Sequence, residues 1–306
     1  MANNKPLPIT IIEFIPALFL IGLFMLLPYR FTLWFSRLVG RIAFRFAEEA
    51  RNDALYGLSL AFPDWDKEKI RAMAIRSFEH MVMYFVEAFV FPIRFSSKRI
   101  EKKLVRVVNY EVVEKILAEG KGLIALAAHL GNPEIPGMIT GIKGHPVYGV
   151  NRRMDNPLFQ WMAKTAREAK GIIIVPRDKA LRMIFDALRT NNPVAFLIDQ
   201  NWAAGGVFVP FFGKLAATAK GPVQFAMKTG AKLLVTYDLR NPDGTHTATF
   251  GDIVELEIKE NDEETIRYTT AKYTKIFEDL IRQHPEQWMW AHGRWSTRPP
   301  EEIKGK

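Results

Sequence analysis

Residues 123–134 read LIALAAHLGNPE, an apolar run, a turn and a helix start in immediate succession. Leu123–Ala128 is uninterruptedly apolar, the pattern of a strand buried on both faces. His129 follows at its end. Gly131 permits a turn, Asn132 is a favoured helix cap, and Pro133 suits the first helical position, so Glu134 falls in the first turn of a new helix. On one continuous helix, five residues would set His129 and Glu134 about 140° apart. Across a turn, the carboxylate can fold back to the imidazole. Amides at the helix start would stabilise an ionised Glu134, and that carboxylate would fix the tautomer of His129. A neutral, oriented imidazole is what a general base acting on a hydroxyl needs. His129 and Glu134 are the candidate catalytic pair. A histidine at a strand end can equally be structural, and the bare spacing recurs by chance. The buried strand before it and the capped helix start after it single this one out.

Working outward, Tyr110–Glu119 has helical spacing and stops at Gly120-Lys121-Gly122. Beyond the motif, strand-like runs at Val147–Val150, Gly171–Val175, Val194–Ile198, Leu233–Tyr237 and His246–Leu256 alternate with helical segments. Those segments are Pro157–Lys170, Lys179–Thr190, Gly221–Thr229 and Glu263–Arg282. The alternation predicts an α/β domain with a mainly parallel, helix-covered sheet. In such sheets, sites form where the carboxyl ends of strands meet loops. Asp199-Gln200 ends one strand and either lines that cleft or forms a structural turn. The Phe208–Phe212 run reads as core, with Pro210 and Gly213 marking an ordered loop. Upstream, Asp64–Val90 reads as a long helix with an unusually apolar second half.

The N-terminal residues differ in character. Ile9–Leu27 carries one charge, Glu13, and the uncharged stretch Phe14–Leu27 is shorter than the roughly 18 residues of an unambiguous span. Arg37, Arg41 and Arg45 then recur every four residues on one helical stripe, with Phe31, Trp34, Leu38, Ile42 and Phe46 around it. Such a helix suits the head-group boundary of an anionic bilayer. The segment reads as a membrane anchor followed by an interfacial helix, and the basic residues after it predict a cytoplasmic bulk. The formal net charge is +9, and residues 30–110 hold 15 Lys or Arg against 9 Asp or Glu. No recognised nucleic-acid module accompanies that charge, so an anionic membrane is the favoured partner and nucleic acid is not. The chain has no cysteine, which excludes disulfides, thiolate metal sites and a cysteine nucleophile. No metal-ligand cluster stands out.

The His129–Glu134 block resembles the H-x4-D/E motif of glycerolipid and lipid A acyltransferases, and other blocks resemble the late lipid A branch. These are Leu58–Pro63, Asn151-Arg152 with Asn156-Pro157, Asp199-Gln200-Asn201, Val207–Gly213 with Ala217-Thr218, and His284–Trp290 with Arg294-Trp295 and Thr297–Pro299. Order and spacing agree from about residue 10 to 299. Pro133 stands where the motif carries tryptophan, Gly57 where asparagine is usual, and Gly293 where a bulkier residue is usual. The resemblance implies a sheet of the glycerolipid acyltransferase type behind an anchor at 1–50. Residues 51–306 would be the acyltransferase domain, with 51–108 helical and 109–299 the α/β core. It implies transfer of a fatty acyl group from acyl carrier protein to a hydroxyl of a lipid A precursor at the bacterial inner membrane, with no cofactor. Asn132, Arg152, Asp199, Gln200, Arg294 and Arg298 become candidate substrate-binding residues. The arginine forks suit phosphate, although each also suits a structural tether. Amides near Gly131 or the side chain of Arg152 are candidate oxyanion donors. A lysophosphatidate-type enzyme and a non-catalytic membrane scaffold are the alternatives. A serine hydrolase is disfavoured, since no Gly-x-Ser-x-Gly elbow appears.

Overall fold

The computed structural model of the chain describes residues 7–151 and 156–303. Four helices lead: α1 Leu7–Leu26, α2 Tyr29–Phe46, α3 Glu48–Ala61 and α4 Lys67–Arg94. Pro28, with its fixed φ, separates α1 from α2. Asp66 starts α4 by accepting the Lys69 amide at 2.7 Å. At Gly40 a Cβ would lie 2.6 Å from the Glu79 Cα, so only glycine lets α2 pass this close to α4. A short turn, α5 Ser97–Arg99, runs into one wide turn at Ile100–Leu104.

The expected membrane anchor is not confirmed. Among the described residues no helix is long and apolar enough to cross a membrane. Instead α1 is laid along the rest of the protein, against α4 and α8 (Pro157–Glu168). Phe14 meets Phe159 edge-on at 5.3 Å, and Arg94 Nη1 donates to the Phe24 carbonyl at 2.9 Å. Its outer side stays apolar and uncovered at Ile12, Ile15, Phe19 and Leu26, and the same is true of Trp34, Leu38, Ile42 and Phe46 on α2.

The α/β part runs β1 Val105–Val108, α6 Glu111–Ala118, β2 Leu123–Ala127, α7 Glu134–Ile142, β3 Val147–Asn151, α8, β4 Ile172–Pro176, α9 Ala180–Arg189 and β5 Pro193–Leu197. A hairpin of β6 Val207–Phe211 and β7 Lys214–Thr218 follows. Then come α10 Gly221–Thr229, β8 Lys232–Arg240, β9 His246–Val254, α11 Asp262–Gln283 and the short α12 Pro300–Ile303. Seven strands form one sheet in the order β1-β9-β8-β2-β5-β3-β4. Its pairs are parallel except β8 with β9, which a turn at Asn241–Gly244 joins antiparallel. The predicted mainly parallel, helix-covered sheet is present. Two features lie outside that expectation. β1 is only four residues long, within a segment read as helical, and it is paired by β9. Phe208–Phe212 belongs to a hairpin rather than a loop.

Register positions the site. β2 and β5 are neighbours, with Ala127 opposite Leu197. The residues two beyond each, His129 and Asp199, therefore leave the sheet level with one another. The C-terminal segment closes over them: Leu130 bridges Trp288, and Met289 N donates to the His129 carbonyl at 3.1 Å. Trp288, Trp290 and Trp295 are buried among Phe211, Phe212 and Phe78, so this segment is part of the core.

Candidate active site

His129 is held by Asp199. Its Nδ1 lies 2.9 Å from Asp199 Oδ1, and its backbone amide donates to Oδ2 at 2.8 Å. A carboxylate only accepts, so the ring hydrogen sits on Nδ1 and the lone pair on Nε2. Trp288 Nε1 donates a third hydrogen bond to Asp199 Oδ2 at 2.7 Å. Burial alone would push the Asp199 carboxyl up; the charge of His129 and these three donors outweigh it and hold the group at about 2. The carboxylate is thus ionised throughout the neutral range. Gln200 Nε2 approaches His129 Nε2 at 3.4 Å. Asp199 and Gln200, inferred from sequence to line the cleft, do meet the imidazole.

Glu134 is turned elsewhere, which corrects its expected role as the partner that orients His129. Arg167 on α8 grips its carboxylate with Nε at 3.0 Å from both oxygens and Nη2 at 2.5 Å from Oε1. A planar fork facing a carboxylate in this way outcompetes a single bond to an imidazole, which already has Asp199. α7 begins one residue later than predicted, with Pro133 in the cap position, yet the Asn132 side chain accepts the Glu134 amide at 3.2 Å as a cap would. Gly131 adopts φ +60, and a Cβ there would fall 2.1 Å from the Asp238 carbonyl, so the turn requires glycine.

Five amides of this turn are engaged. His129 N, Gly131 N, Asn132 N, Glu134 N and Ile135 N donate to Asp199, Gln287 O, Asp238, Asn132 Oδ1 and Asn132 O respectively. These five are not free to bind an oxyanion, and Leu130 N, beside Gly131, is the amide of the turn outside that set. Arg167 Nη1, in contrast, is buried without a hydrogen-bond partner in the structure.

Glu134 and Arg167 line an apolar groove between the sheet and α7. Its floor is built from small residues, Ala125 on β2, Ala195 on β5 and Gly149 on β3, under Gly137 of α7. Ile172, Ile174, Leu197 and Phe250 line its sides. It follows β2 from Ala127 back to Leu123, about 13 Å at roughly 3.3 Å per residue, the length of some ten methylenes.

Three residues inferred to bind substrate have other work. Asn132 is fully buried and faces Glu87 and Asp238. Arg294 is 1% exposed, donating to the carbonyls of Gln200 and Ala217 and to Thr218 Oγ1, where burial lowers its guanidinium to about 10. It fastens the β5–β6 connection and the hairpin to the C-terminus. Arg298 donates to the Leu215 carbonyl at 2.7 Å and pairs with Glu302. Arg152 lies outside the described residues. Sequence reasoning missed Arg167, which sits in a helix as any surface arginine does. It also missed Glu87, for which a signal existed: it is the only charged residue between His80 and Arg94.

The model of the family described as bacterial lipid A biosynthesis acyltransferase matches residues 4–297. The chain is 29% identical over 266 residues to the lipid A biosynthesis lauroyltransferase of Escherichia coli (strain K12), covering 85% of this chain and 84% of that one. It is 27% identical over 282 residues to the palmitoleoyltransferase of the same strain, covering 90% and 89%. To that strain's myristoyltransferase it is 24% identical over 271 residues, covering 87% and 81%.

Proposed function

The chain belongs to the bacterial lipid A biosynthesis acyltransferase family, and from that premise we propose that it transfers a fatty acyl group from an acyl carrier protein thioester to a hydroxyl of a lipid A precursor. That it is an acyltransferase of lipid A biosynthesis follows from the family. The observation that carries the finer reading is an Asp199-oriented imidazole two residues beyond Ala127, where β2 lines an apolar groove of acyl-chain length.

His129 Nε2 takes the proton of the acceptor hydroxyl as its oxygen attacks the thioester carbonyl carbon. Asp199 keeps the ring in the productive tautomer and stabilises the imidazolium that forms. The carbonyl oxygen becomes an oxyanion, and Arg167 Nη1 is the donor we assign to it. Collapse of the tetrahedral intermediate breaks the carbon–sulfur bond, and the imidazolium returns its proton to the departing thiolate. Glu134 serves by holding Arg167 in place, and the groove takes the hydrocarbon chain. The thioester is already an activated donor, so the reaction needs no metal or cofactor, and chelators are expected to leave its rate unchanged. The acidic carrier protein suits the basic surface of the chain. The uncovered apolar sides of α1 and α2, beside Arg37, Arg41 and Arg45, suit the cytoplasmic face of the bacterial inner membrane.

The test is acyl transfer by detergent-purified protein, offering acyl carrier protein thioesters with either a tetra-acylated lipid A precursor or lysophosphatidate. Product on the lipid A precursor, lost in His129→Ala, supports the reading. Product on lysophosphatidate alone would move the chain's activity to the glycerolipid substrates, and no product from folded protein would sink it.

A further inference from the structure

Behind the motif turn lies a set of buried ionic side chains that does not line the groove. Glu87 comes from α4, Asp238 and Arg240 from β8, and His246 from β9, and all four are buried. Arg240 engages Glu87 with both Nη1 and Nη2, the latter at 2.7 Å from Oε2. His246 Nδ1 lies 2.7 Å from Asp238 Oδ2, and Tyr29 donates its hydroxyl to Glu87 Oε1 at 2.5 Å. Two carboxylates thus face two cations, which is how such charges tolerate burial.

This group meets the motif at one residue, Asn132. Its Nδ2 donates to Glu87 Oε2 at 3.1 Å, and its backbone amide donates to Asp238 Oδ2 at 3.0 Å. Its Oδ1 accepts the Glu134 amide at 3.2 Å. The geometry contains an orientation rule. A side-chain amide has one donating end and one accepting end, and a carboxylate accepts only. Glu87 therefore draws the NH2 end toward itself and turns the carbonyl end of Asn132 to Glu134. Without that carboxylate, both orientations of the amide are open, and one of them sets an NH2 against the Glu134 N–H.

We propose that Glu87 is a positioning residue for acyl transfer, acting through the Asn132 amide to fix the start of α7 and hence Glu134 against Arg167. Its effect on turnover rests on the acyl-transfer reading; its effect on the turn does not. A misplacement of about 1 Å at reacting groups costs on the order of a hundredfold in rate, so a loose turn would be felt in kcat.

The test is a swap of donor and acceptor, read by steady-state kinetics, thermal melting and hydrogen exchange of the Glu134 amide. Glu87→Gln removes the orienting charge, and Asn132→Asp sets two carboxylates against each other. Each single variant is expected to lower kcat by roughly ten- to a hundredfold with KM for both substrates nearly unchanged, and to speed Glu134 amide exchange. In the Glu87→Gln/Asn132→Asp double variant the new amide donates to one oxygen of the new carboxylate, whose other oxygen still accepts the Glu134 amide; its NH2 then also faces Arg240 Nη2, which donates to the same Glu87 oxygen in the wild type. Partial recovery of kcat and of amide protection, beyond the product of the single losses, is the expected result. A double variant no better than the product of the single losses, or single variants with wild-type kcat and exchange, overturns the proposal. Should Glu87→Gln fail to fold, Glu87→Asp decides, because it keeps every charge while withdrawing the carboxylate from the Asn132 amide by one methylene. It is expected to lower kcat several-fold at unchanged KM and to speed the same exchange; wild-type values of both overturn the proposal. Failure of the wild-type protein to transfer an acyl group would count against the function instead, because amide exchange reports on the turn with no substrate present.

Discussion

The decisive contact at the scale of single residues joins two side chains 70 positions apart, His129 and Asp199. Asp199→Asn keeps the shape of that contact while offering an NH2 to Nδ1, which favours the wrong tautomer. In a serine-protease triad the same change costs roughly ten-thousandfold in kcat. A loss of about a thousandfold or more, with KM little altered, is expected here in steady-state transfer assays, and a loss under tenfold would remove Asp199 from the mechanism. The reason this partner was not legible in the sequence is geometric. His129 stood out because a buried strand delivers it and a turn follows, both local signals. Its carboxylate was sought five residues away because the helix start offered one. The true partner is placed by the register of two neighbouring strands, and pairing order is not written in either strand's composition. Arg167, 33 residues beyond Glu134, is hidden for the same reason. Arg294 misled in the opposite sense: a guanidinium that could grip phosphate grips carbonyls equally well, and only its burial tells the two uses apart.

Secondary-structure elements carry the part of the fold that was legible. The predicted strand-helix alternation from Leu123 to Arg282 is observed because β2, β4 and β5 are wholly apolar and the helices α8 and α9 amphipathic. Four-residue β1 lacked the length to register, and the β6–β7 hairpin turns at Phe212-Gly213, both at positive φ, where no Asn-Gly or Asp-Gly signal announced it. Two outcomes are expected at this scale. The first concerns the groove floor on β3. A Cβ at Gly149 would meet only Ile172 Cγ2 at 3.9 Å, so the strand accepts a side chain that would project toward the hydrocarbon space. Gly149→Leu is expected to shorten the longest acyl chain transferred efficiently by several carbons while retaining short chains, read with a ladder of thioesters. An unchanged chain profile would separate the groove from the acyl group. The second concerns the join of α4 to the β8–β9 hairpin. Burial lowers His246, but Asp238 and Glu87 outweigh it and raise the imidazole to about 9. Its folded value lies above the unfolded one of roughly 6.5, so its contribution to stability is complete below pH 6.5 and is lost as pH rises through 9. Denaturant unfolding free energy should fall across that window, with a slope approaching about 1.4 kcal/mol per pH unit for one proton. A flat profile there would show that His246 is not charged in the folded state.

At the scale of the whole molecule, α1 and α2 carry apolar surface that water alone does not explain. Ile12, Phe19 and Leu26 of α1 are 70%, 71% and 84% exposed, and Trp34 and Phe46 of α2 are 56% and 76% exposed. An uncovered apolar surface of this kind marks a membrane or protein contact. Arg37 and Arg45 share the α2 surface, and the chain as a whole is positive by nine charges. Apolar side chains beside arginines are what an anionic bilayer surface recognises, through hydrocarbon burial and head-group attraction together. The two contributions separate by experiment, because only the electrostatic one is screened by salt. Wild-type protein should sediment with vesicles containing anionic lipid, and less so with neutral vesicles. Raising salt should weaken the anionic preference without abolishing binding. Phe19→Asp combined with Leu26→Asp and Trp34→Asp places three carboxylates on the apolar side without touching His129, Asp199, Glu134 or Arg167. That variant should stay folded, lose most vesicle binding, and keep transfer to acceptor dispersed in detergent while losing it for acceptor embedded in vesicles. Equal loss in detergent would mean that these side chains support the fold or the site directly. Retained vesicle binding would place the membrane contact elsewhere on the protein.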